Sequence, residues 1–405
     1  MILESKQIVL GVTGGIAAYK AADLCSKLVQ AGAVVDVVMT EGATRFITPL
    51  PFQTLTKRPV SVDQFQLLRD TDMAHISLSA RADALVIAPA TANTIAKLAH
   101  GLADNLLTST ALACPAPVII APAMDADMWA HPATQANVAL LAERGAVVVG
   151  PAEGRLASGR IGRGRLVPIS DIVGALRQTL GRKGPLQGVR VVVTAGGTQE
   201  PLDPVRHLGN RSSGRMGYAL AEAARDLGAT VTLVHAPTGL EPAYGIESIS
   251  VRTAEAMHRS LVDLLAATDV LLMAAAVADY RPVHYASQKL KKGDGGLTLQ
   301  LERTTDILAD IGIRPPSERP GILVGFAAET EDLIANAEAK LRAKRTDLVV
   351  ANDVSRSDSG FEVATNQATL LWADGRREPL PLMTKEALAE EIATRVAALW
   401  EQRHE

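Results

Sequence analysis

The chain has 405 residues, 47% hydrophobic and 21% charged, a composition suited to two or three globular domains with sizeable cores. Its 41 Lys and Arg nearly balance 44 Asp and Glu, so the formal charge of −3 leaves no polybasic arm for non-specific nucleic-acid binding. Five Phe, five Tyr and three Trp are too few for a base-stacking groove, and Cys25 and Cys114 form neither a CxxC pair nor a disulfide framework, which points to a reducing cytoplasm.

From the N-terminus, Ile8–Val12 is a short apolar run that ends in glycines, followed by a helical pattern over Ile16–Gln30. This reads as strand and turn rather than as a signal peptide. Val34–Met39, Leu85–Ala88, Val118–Ala121 and Ala146–Val149 follow as further apolar runs, separated by helix-length segments. The longest uncharged stretch, Asn105–Met124, is broken by Pro115, Pro117 and Pro122 and predicts no membrane span. The same alternation restarts at Arg190–Thr194 and continues through Val231–Val234, Val270–Ala274, Leu323–Phe326 and Leu348–Ala351. Ala368–Trp372, the turn Ala373-Asp374-Gly375 and a helix from Thr384 predict an edge hairpin and a closing helix. Continuous apolar strands alternating with helices predict α/β architecture: two tandem Rossmann-like, doubly wound units. The breaker-rich Gly181–Gly188 segment divides them, giving expected domains 1–182 and 188–405. Pro151–Pro168 and Tyr280–Gly296 fit no layer and read either as loops covering active sites or as solvated loops.

Gly11-Val12-Thr13-Gly14-Gly15-Ile16 lies where the first strand meets the first helix, where glycines admit a phosphate to free N–H groups. It is neither GxGxxG nor a Walker A loop, which disfavours a generic NAD-dependent oxidoreductase. His75 opens a helix within Thr71–Ile76, and Pro122-Ala123-Met124-Asp125 directly follows a strand. Each has a purely structural reading beside the functional one. In the second half, Gly196-Gly197-Thr198, Asp203-Pro204-Val205-Arg206 and Asn210-Arg211-Ser212-Ser213-Gly214 crowd one post-strand region. Arg206 and Arg211 suit phosphate or carboxylate oxygens, and the serine–glycine backbone suits an anion nest. Lys340 and Lys344 are spaced i, i+4, so they repel unless an anion lies between them or solvent screens them.

Taken together these motifs resemble the bifunctional phosphopantothenoylcysteine decarboxylase / phosphopantothenate–cysteine ligase enzymes of coenzyme A biosynthesis, over essentially the whole chain. The first half carries Gly14–Lys20, His75-Ile76, Ala88–Thr94, Pro122-Ala123-Met124 and Met128-Trp129. The second carries Asp203–Arg206, Asn210–Gly214, Ala274–Asp279, Lys289, Val324–Thr330 and Ala351-Asn352-Asp353. The resemblance implies a flavodoxin-like first domain of the cysteine-decarboxylase flavoprotein type. FMN would be held there by Gly14, Gly15, Ile16, Thr40, Thr91, Asn93, Ser109 and Met124, with His75 as base. It implies a second domain that joins 4′-phosphopantothenate to cysteine through an acyl-cytidylate formed with CTP and Mg²⁺. There Asn210 would hold the acyl-cytidylate and Lys289 would serve its formation or its attack by cysteine. Gly196, Gly197, Arg206, Ala275, Ala276, Asp279, Asp306, Ile307, Phe326, Lys340 and Lys344 would complete the nucleotide site, with Asp279 also the metal ligand. A homo-oligomer is implied too, with trimeric flavin domains and dimeric ligase domains that together allow a dodecamer.

Two residues depart from the family pattern: Asp125 stands for its Asn and Ser158 for its Cys. The amide anchors the substrate carboxylate and the thiol protonates the reduced intermediate, so both departures touch the decarboxylase chemistry. Leu208-Gly209 also replaces a more usual pair before Asn210. One expectation is that Asp125, desolvated beside a carboxylate, has a raised pKa, donates to the substrate and replaces the missing thiol acid. The alternatives are a ligase whose flavin domain is impaired or only a scaffold, and a non-catalytic regulatory protein, which the intact Asn210–Lys289 set disfavours.

Overall fold

The computed structural model describes residues 2–65, 73–292, 296–329, 331–353, 363 and 365–404. The chain divides into two compact units, Met1–Leu180 and Gly181–Glu405.

In the first unit β1 (Gln7–Val12), β2 (Val34–Met39), β3 (Ala84–Ala90), β4 (Val118–Pro122) and β5 (Val147–Val148) form one parallel sheet, ordered β2-β1-β3-β4-β5. Every residue of β3 is buried, because helices cover both faces; hence the uninterrupted apolar runs in the sequence. The covering helices are α1 (Ala21–Gln30), α2 (Ala74–Arg81), α3 (Ala92–His100), α4 (Leu106–Ala113), α5 (Ala126–Ala130), α6 (Pro132–Glu143) and α7 (Ile169–Gly181). This strand order is flavodoxin-like and reverses direction between β1 and β3, where a ligand crevice opens at the carboxyl edge. The helix expected from Ile16 begins instead as a 3₁₀ turn over Ile16–Lys20, and α-geometry starts at Ala21. Pro151–Pro168 is not an irregular loop. It folds as an antiparallel ribbon, β6 (Ala152–Arg155) and β7 (Ile161–Arg165).

The second unit builds on β8 (Arg190–Ala195), β9 (Thr230–His235), β10 (Glu247–Ser250), β11 (Val270–Met273), β12 (Ile322–Glu329) and β13 (Leu348–Asp353), all parallel. Their order β10-β9-β8-β11-β12-β13 is the Rossmann order, with its switch point between β8 and β11. The hairpin β14 (Ala368–Trp372) and β15 (Arg377–Pro379) extends the β13 edge antiparallel, turning at Gly375. Strand β10 was not legible because Glu-Ser-Ile-Ser is an exposed edge without an apolar run. Helices α8 (Arg215–Asp226), α9 (Ala254–Leu264), α10 (Ile307–Ile313), α11 (Leu333–Ala343) and α12 (Lys385–His404) cover the sheet. Among the described residues no helix is long and apolar enough to cross a membrane.

The small residues of α8 bring it close to β8. A Cβ on Gly217 would lie 2.5 Å from the Ala195 side chain and 2.6 Å from the Thr194 carbonyl oxygen. Gly217→Ala is therefore expected to lower stability by about 1–3 kcal/mol, measured by urea denaturation of the full chain.

Candidate functional site

In a parallel sheet with crossover helices, strand ends and helix starts meet at one edge, and there the first-unit residues gather. Gly14-Gly15 follows β1, Thr40 follows β2, Thr91 and Asn93 follow β3, and Met124-Asp125 follows β4. Helices α2 and α4 run back to begin β3 and β4, so their starts reach the same edge with His75 and Ser109 in their opening turns. Thr71 and Asp72, at the expected start of the His75 helix, lie outside the described residues.

The crevice is braced by Thr13, whose hydroxyl donates to the Pro89 carbonyl at 2.6 Å and accepts the Thr91 N–H at 3.0 Å. Thr40 caps the short helix Glu41–Thr44 and Thr91 caps α3, each accepting a backbone N–H three residues on. Gly14 leaves no room for a side chain: a Cβ there would lie 2.7 Å from the Gly42 backbone. Helix starts and Cβ-free backbone at a flavodoxin-like switch point suit the phosphate of FMN. Ile16, 63% exposed, offers the apolar surface that a flavin ring system would cover.

The ribbon β6–β7 docks on the segment after β4. The Met124 N–H donates to the Gly164 carbonyl at 2.9 Å, and a Cβ on Gly164 would lie 2.3 Å from the Met124 oxygen. Its turn delivers Ser158, whose hydroxyl donates to Asp125 Oδ2 at 2.8 Å. The two departures from the family pattern are therefore hydrogen-bonded to each other. Arg160 lies 3.8 Å from Asp125 Oδ1 and also pairs with Asp127. The Ser158 hydrogen bond, the Asp127 N–H and Arg160 hold the Asp125 carboxyl below its ordinary range, outweighing desolvation. Asp125 thus accepts from Ser158 and from the Asp127 N–H, contacts that favour its charged form, in contrast to the raised pKa expected for it beside a substrate carboxylate. Arg160 was missed because nothing in its local sequence marks a turn that folds back onto Asp125.

In the second unit a cavity of about 840 Å³ opens at the switch point. Asn210, Ala275, Ala276, Asp279, Asp306, Ile307, Phe326, Lys340 and Lys344 all line it. Thr194 and Thr198, both fully buried, accept the N–H groups of Ala275 and Ala278 at 3.0 and 2.9 Å, holding the loop after β11. The Asn210 amide donates to the Val277 carbonyl at 3.0 Å. Gly196 and Gly197 are not among the lining residues; the Gly196 carbonyl accepts the Ala276 N–H at 2.8 Å, and the Ala276 carbonyl accepts the Thr198 N–H at 3.2 Å. A side chain at Gly197 would strike the Asn210 carbonyl, with Cβ 2.6 Å from it.

Arg206 is not among the lining residues and has a different task. It pairs with the buried Asp203 at 2.7 Å and donates to the Leu290 carbonyl, while Asp203 accepts the Leu290 N–H at 3.1 Å. Burial pulls the Asp203 carboxyl upward, but the N–H groups of Val205, Arg206 and Leu290 and the guanidinium hold it well below the usual carboxylate range. The clasp fixes the backbone beside Lys289, which is itself exposed and outside the cavity lining. The Tyr280–Gly296 segment begins as an antiparallel pairing of Tyr280–Pro282 with Leu301–Arg303; residues 293–295 and Thr330 lie outside the described residues. Lys344 pairs with Asp306 at 2.7 Å and Lys340 donates to the Phe326 carbonyl at 2.6 Å, so the i, i+4 repulsion is relieved within the protein. Asp306, despite burial, is held below its ordinary pKa by Lys344 and by the Ala309 N–H that it caps.

Six cations, Arg211, Arg215, Arg303, Lys340, Lys344 and Lys385, line the cavity against the two carboxylates Asp279 and Asp306. The excess marks a site for polyanions. Arg215 and Lys385 went unrecognised in the sequence because each opens a helix that reads as ordinary amphipathic structure. Among the described residues no group of three acidic, His or Cys side chains could hold a metal alone, whereas Mg²⁺ needs only one or two carboxylates when a nucleotide brings phosphates. Asp279 meets that requirement.

Comparison with known proteins matches residues 2–181 to the flavoprotein family and residues 186–399 to the DNA/pantothenate metabolism flavoprotein C-terminal domain. Over 407 residues the chain is 46% identical to the coenzyme A biosynthesis bifunctional protein CoaBC of Bacillus subtilis (strain 168), covering 100% of both chains. The protein of that name from Mycobacterium bovis is 44% identical over 400 residues, covering 96% of this chain and 95% of its own. The crystal structure of a C-terminal domain of CoaBC is similar at 38% identity and a TM-score of 0.47, covering 54% of this chain and 99% of that one.

Proposed function

The chain belongs to the family of bifunctional coenzyme A biosynthesis flavoproteins, and from that membership we propose the division of labour between its two units. It is an enzyme with ligase and decarboxylase activities. Unit two ligates 4′-phosphopantothenate to cysteine at the expense of CTP, and unit one decarboxylates the product to 4′-phosphopantetheine. The full-length match to bifunctional relatives carries this reading; one chain bearing two switch-point crevices accords with it.

In the ligase, the substrate carboxylate attacks the CTP α-phosphorus and diphosphate leaves; the cysteine amine then attacks the acyl carbon and CMP leaves. Asn210 orients the acyl-cytidylate, Lys289 offsets its charge, Lys340 and Lys344 balance the triphosphate, and Asp279 would hold the Mg²⁺ that would supply further positive charge to it. Ala275, Ala276, Asp306, Ile307 and Phe326 form the nucleotide walls, Gly196 and Gly197 support the Ala276 segment, and Arg206 steadies the Lys289 segment. In the decarboxylase, bound FMN supplies the electron acceptor that makes loss of CO₂ accessible. Gly14, Gly15, Ile16, Thr40, Thr91, Asn93, Ser109 and Met124 hold it, and His75 takes a proton from the substrate. Oligomers belong to this reading, since Ile16, Tyr19, Leu50, Phe65, Ile76 and Leu112 are large apolar side chains at least half exposed. So does a cytoplasmic location, where Cys25 and Cys114 stay unpaired.

Incubation with 4′-phosphopantothenate, cysteine, Mg²⁺ and CTP should give 4′-phosphopantetheine by mass. Formation of neither acyl product overturns the assignment. The purified protein should also be yellow, with a flavin absorption band released on denaturation. A colourless protein that takes up no added FMN removes the flavin assignment.

A further inference from the structure

The ribbon β6–β7 and the start of α5 carry one cation between two carboxylates. Arg160 donates to both oxygens of Asp127, at 2.5 and 3.2 Å, and lies 3.8 Å from Asp125 Oδ1. The surroundings fix it in place. The Met124 N–H reaches the Gly164 carbonyl across the ribbon, and the Arg163 guanidinium lies 5.7 Å from the centre of the Trp129 ring. A Cβ on Gly162 would lie 2.9 Å from the Ala126 side chain, so ribbon and helix start are in close contact.

The two carboxylates are not held alike. Asp125 has a partner on each oxygen besides Arg160: Oδ1 accepts the Asp127 N–H at 3.2 Å and Oδ2 the Ser158 hydroxyl at 2.8 Å. Asp127 has Arg160 alone among the described residues, and its side chain is 73% exposed. An ion pair so open to water contributes little, so Asp127 leaves it at small cost. A guanidinium fork matches any carboxylate in geometry. It favours one carried by a molecule that is already bound, because the pairing is then intramolecular.

We propose that Arg160 binds the carboxylate that the first unit removes, and that Asp127 holds the guanidinium fork until substrate arrives. The entering carboxylate takes the fork and Asp127 turns out to water. Asp125 stays where it is and keeps the guanidinium at the end of β4, so its charge is offset rather than set against the substrate. Loss of CO₂ removes the occupant and Asp127 returns, leaving the product no charge at this point to retain it. This rests on the decarboxylase reading.

The test uses two unreactive ligands. 4′-Phosphopantothenoylserine keeps the carboxylate but has no thiol, and 4′-phosphopantothenoylethanolamine lacks both. Each is titrated into the full-length, flavin-loaded protein, where the change in flavin absorbance reports the first unit alone. Arg160→Gln should weaken the serine ligand about 30-fold and the ethanolamine ligand by less than about threefold. Arg160→Lys keeps the charge without the fork and should fall between. Asp127→Asn should act with the opposite sign, tightening the serine ligand about threefold without moving the other. Release of CO₂ from phosphopantothenoylcysteine by the wild type tests the decarboxylase reading separately. Its absence overturns that reading, while the two affinities still judge Arg160. Equal weakening of both ligands in Arg160→Gln marks a merely structural ribbon contact and overturns the proposal. So does an Asp127→Asn protein that binds the serine ligand no more tightly than wild type.

Discussion

Asn210→Asp is expected to abolish ligated product, by about 100-fold or more in kcat, with the thermal unfolding curve unchanged. Asn210 is exposed on the cavity rim, so the isosteric change leaves the core untouched. Its amide nitrogen donates to the Val277 carbonyl at 3.0 Å. A carboxylate there can only accept, so it turns away from that carbonyl. It also adds a negative charge where the acyl-cytidylate phosphate must sit. Lys289→Gln should behave differently: it removes a charge from an exposed segment, so activated acid should form and accumulate while attack by cysteine slows. Quenched-flow mass analysis separates the two outcomes. Normal turnover in both variants would falsify the assignment of this site.

The second large effect is expected from Asp125 and Ser158. Asp125 follows β4 with its carboxyl held below its ordinary range, and the proposed decarboxylase reading brings the substrate carboxylate to that edge. Ser158 supplies a hydroxyl where a thiol of pKa about 8.5 would be a far stronger acid. Ser158→Cys should therefore speed formation of the reduced product, and adding Asp125→Asn should lower the KM of phosphopantothenoylcysteine about tenfold. The pH dependence has a definite sign. Because the Asp125 carboxyl is held below its ordinary range, it stays ionised above the unfolded value of about 3.9. The stability contributed by its contacts with Ser158 and Arg160 is present above that value and is lost as pH falls through the lower folded one. Turnover from pH 6 to 9 should then show no limb due to Asp125. A rate that falls with rising pH in wild type but not in Asp125→Asn would restore the neutral, proton-donating carboxyl.

Much of the architecture follows from the sequence because parallel sheets are buried on both faces. Ile8–Val12, Val34–Met39, Val270–Ala274 and Leu348–Ala351 are continuous apolar runs for that reason, and the glycines after β1 and β8 mark where strands hand over to helices. What periodicity cannot carry is long-range order. Strand orders β2-β1-β3-β4-β5 and β10-β9-β8-β11-β12-β13 depend on crossover packing, and they alone determine where each crevice opens. The polar edge strand Glu247–Ser250 and the ribbon at Ala152–Arg165 have no core-facing pattern to betray them. At the sites, residue types were legible but partnerships were not. Arg206 looked like a phosphate ligand until Asp203 and Leu290 claimed it, and Lys340 and Lys344 looked repulsive until Asp306 and Phe326 met them. The ribbon brings Ser158 to 2.8 Å from Asp125 across 33 residues of chain, a pairing that no local pattern announces. Charge state and hydrogen-bond partner are properties of the surroundings, and only the tertiary structure supplies those.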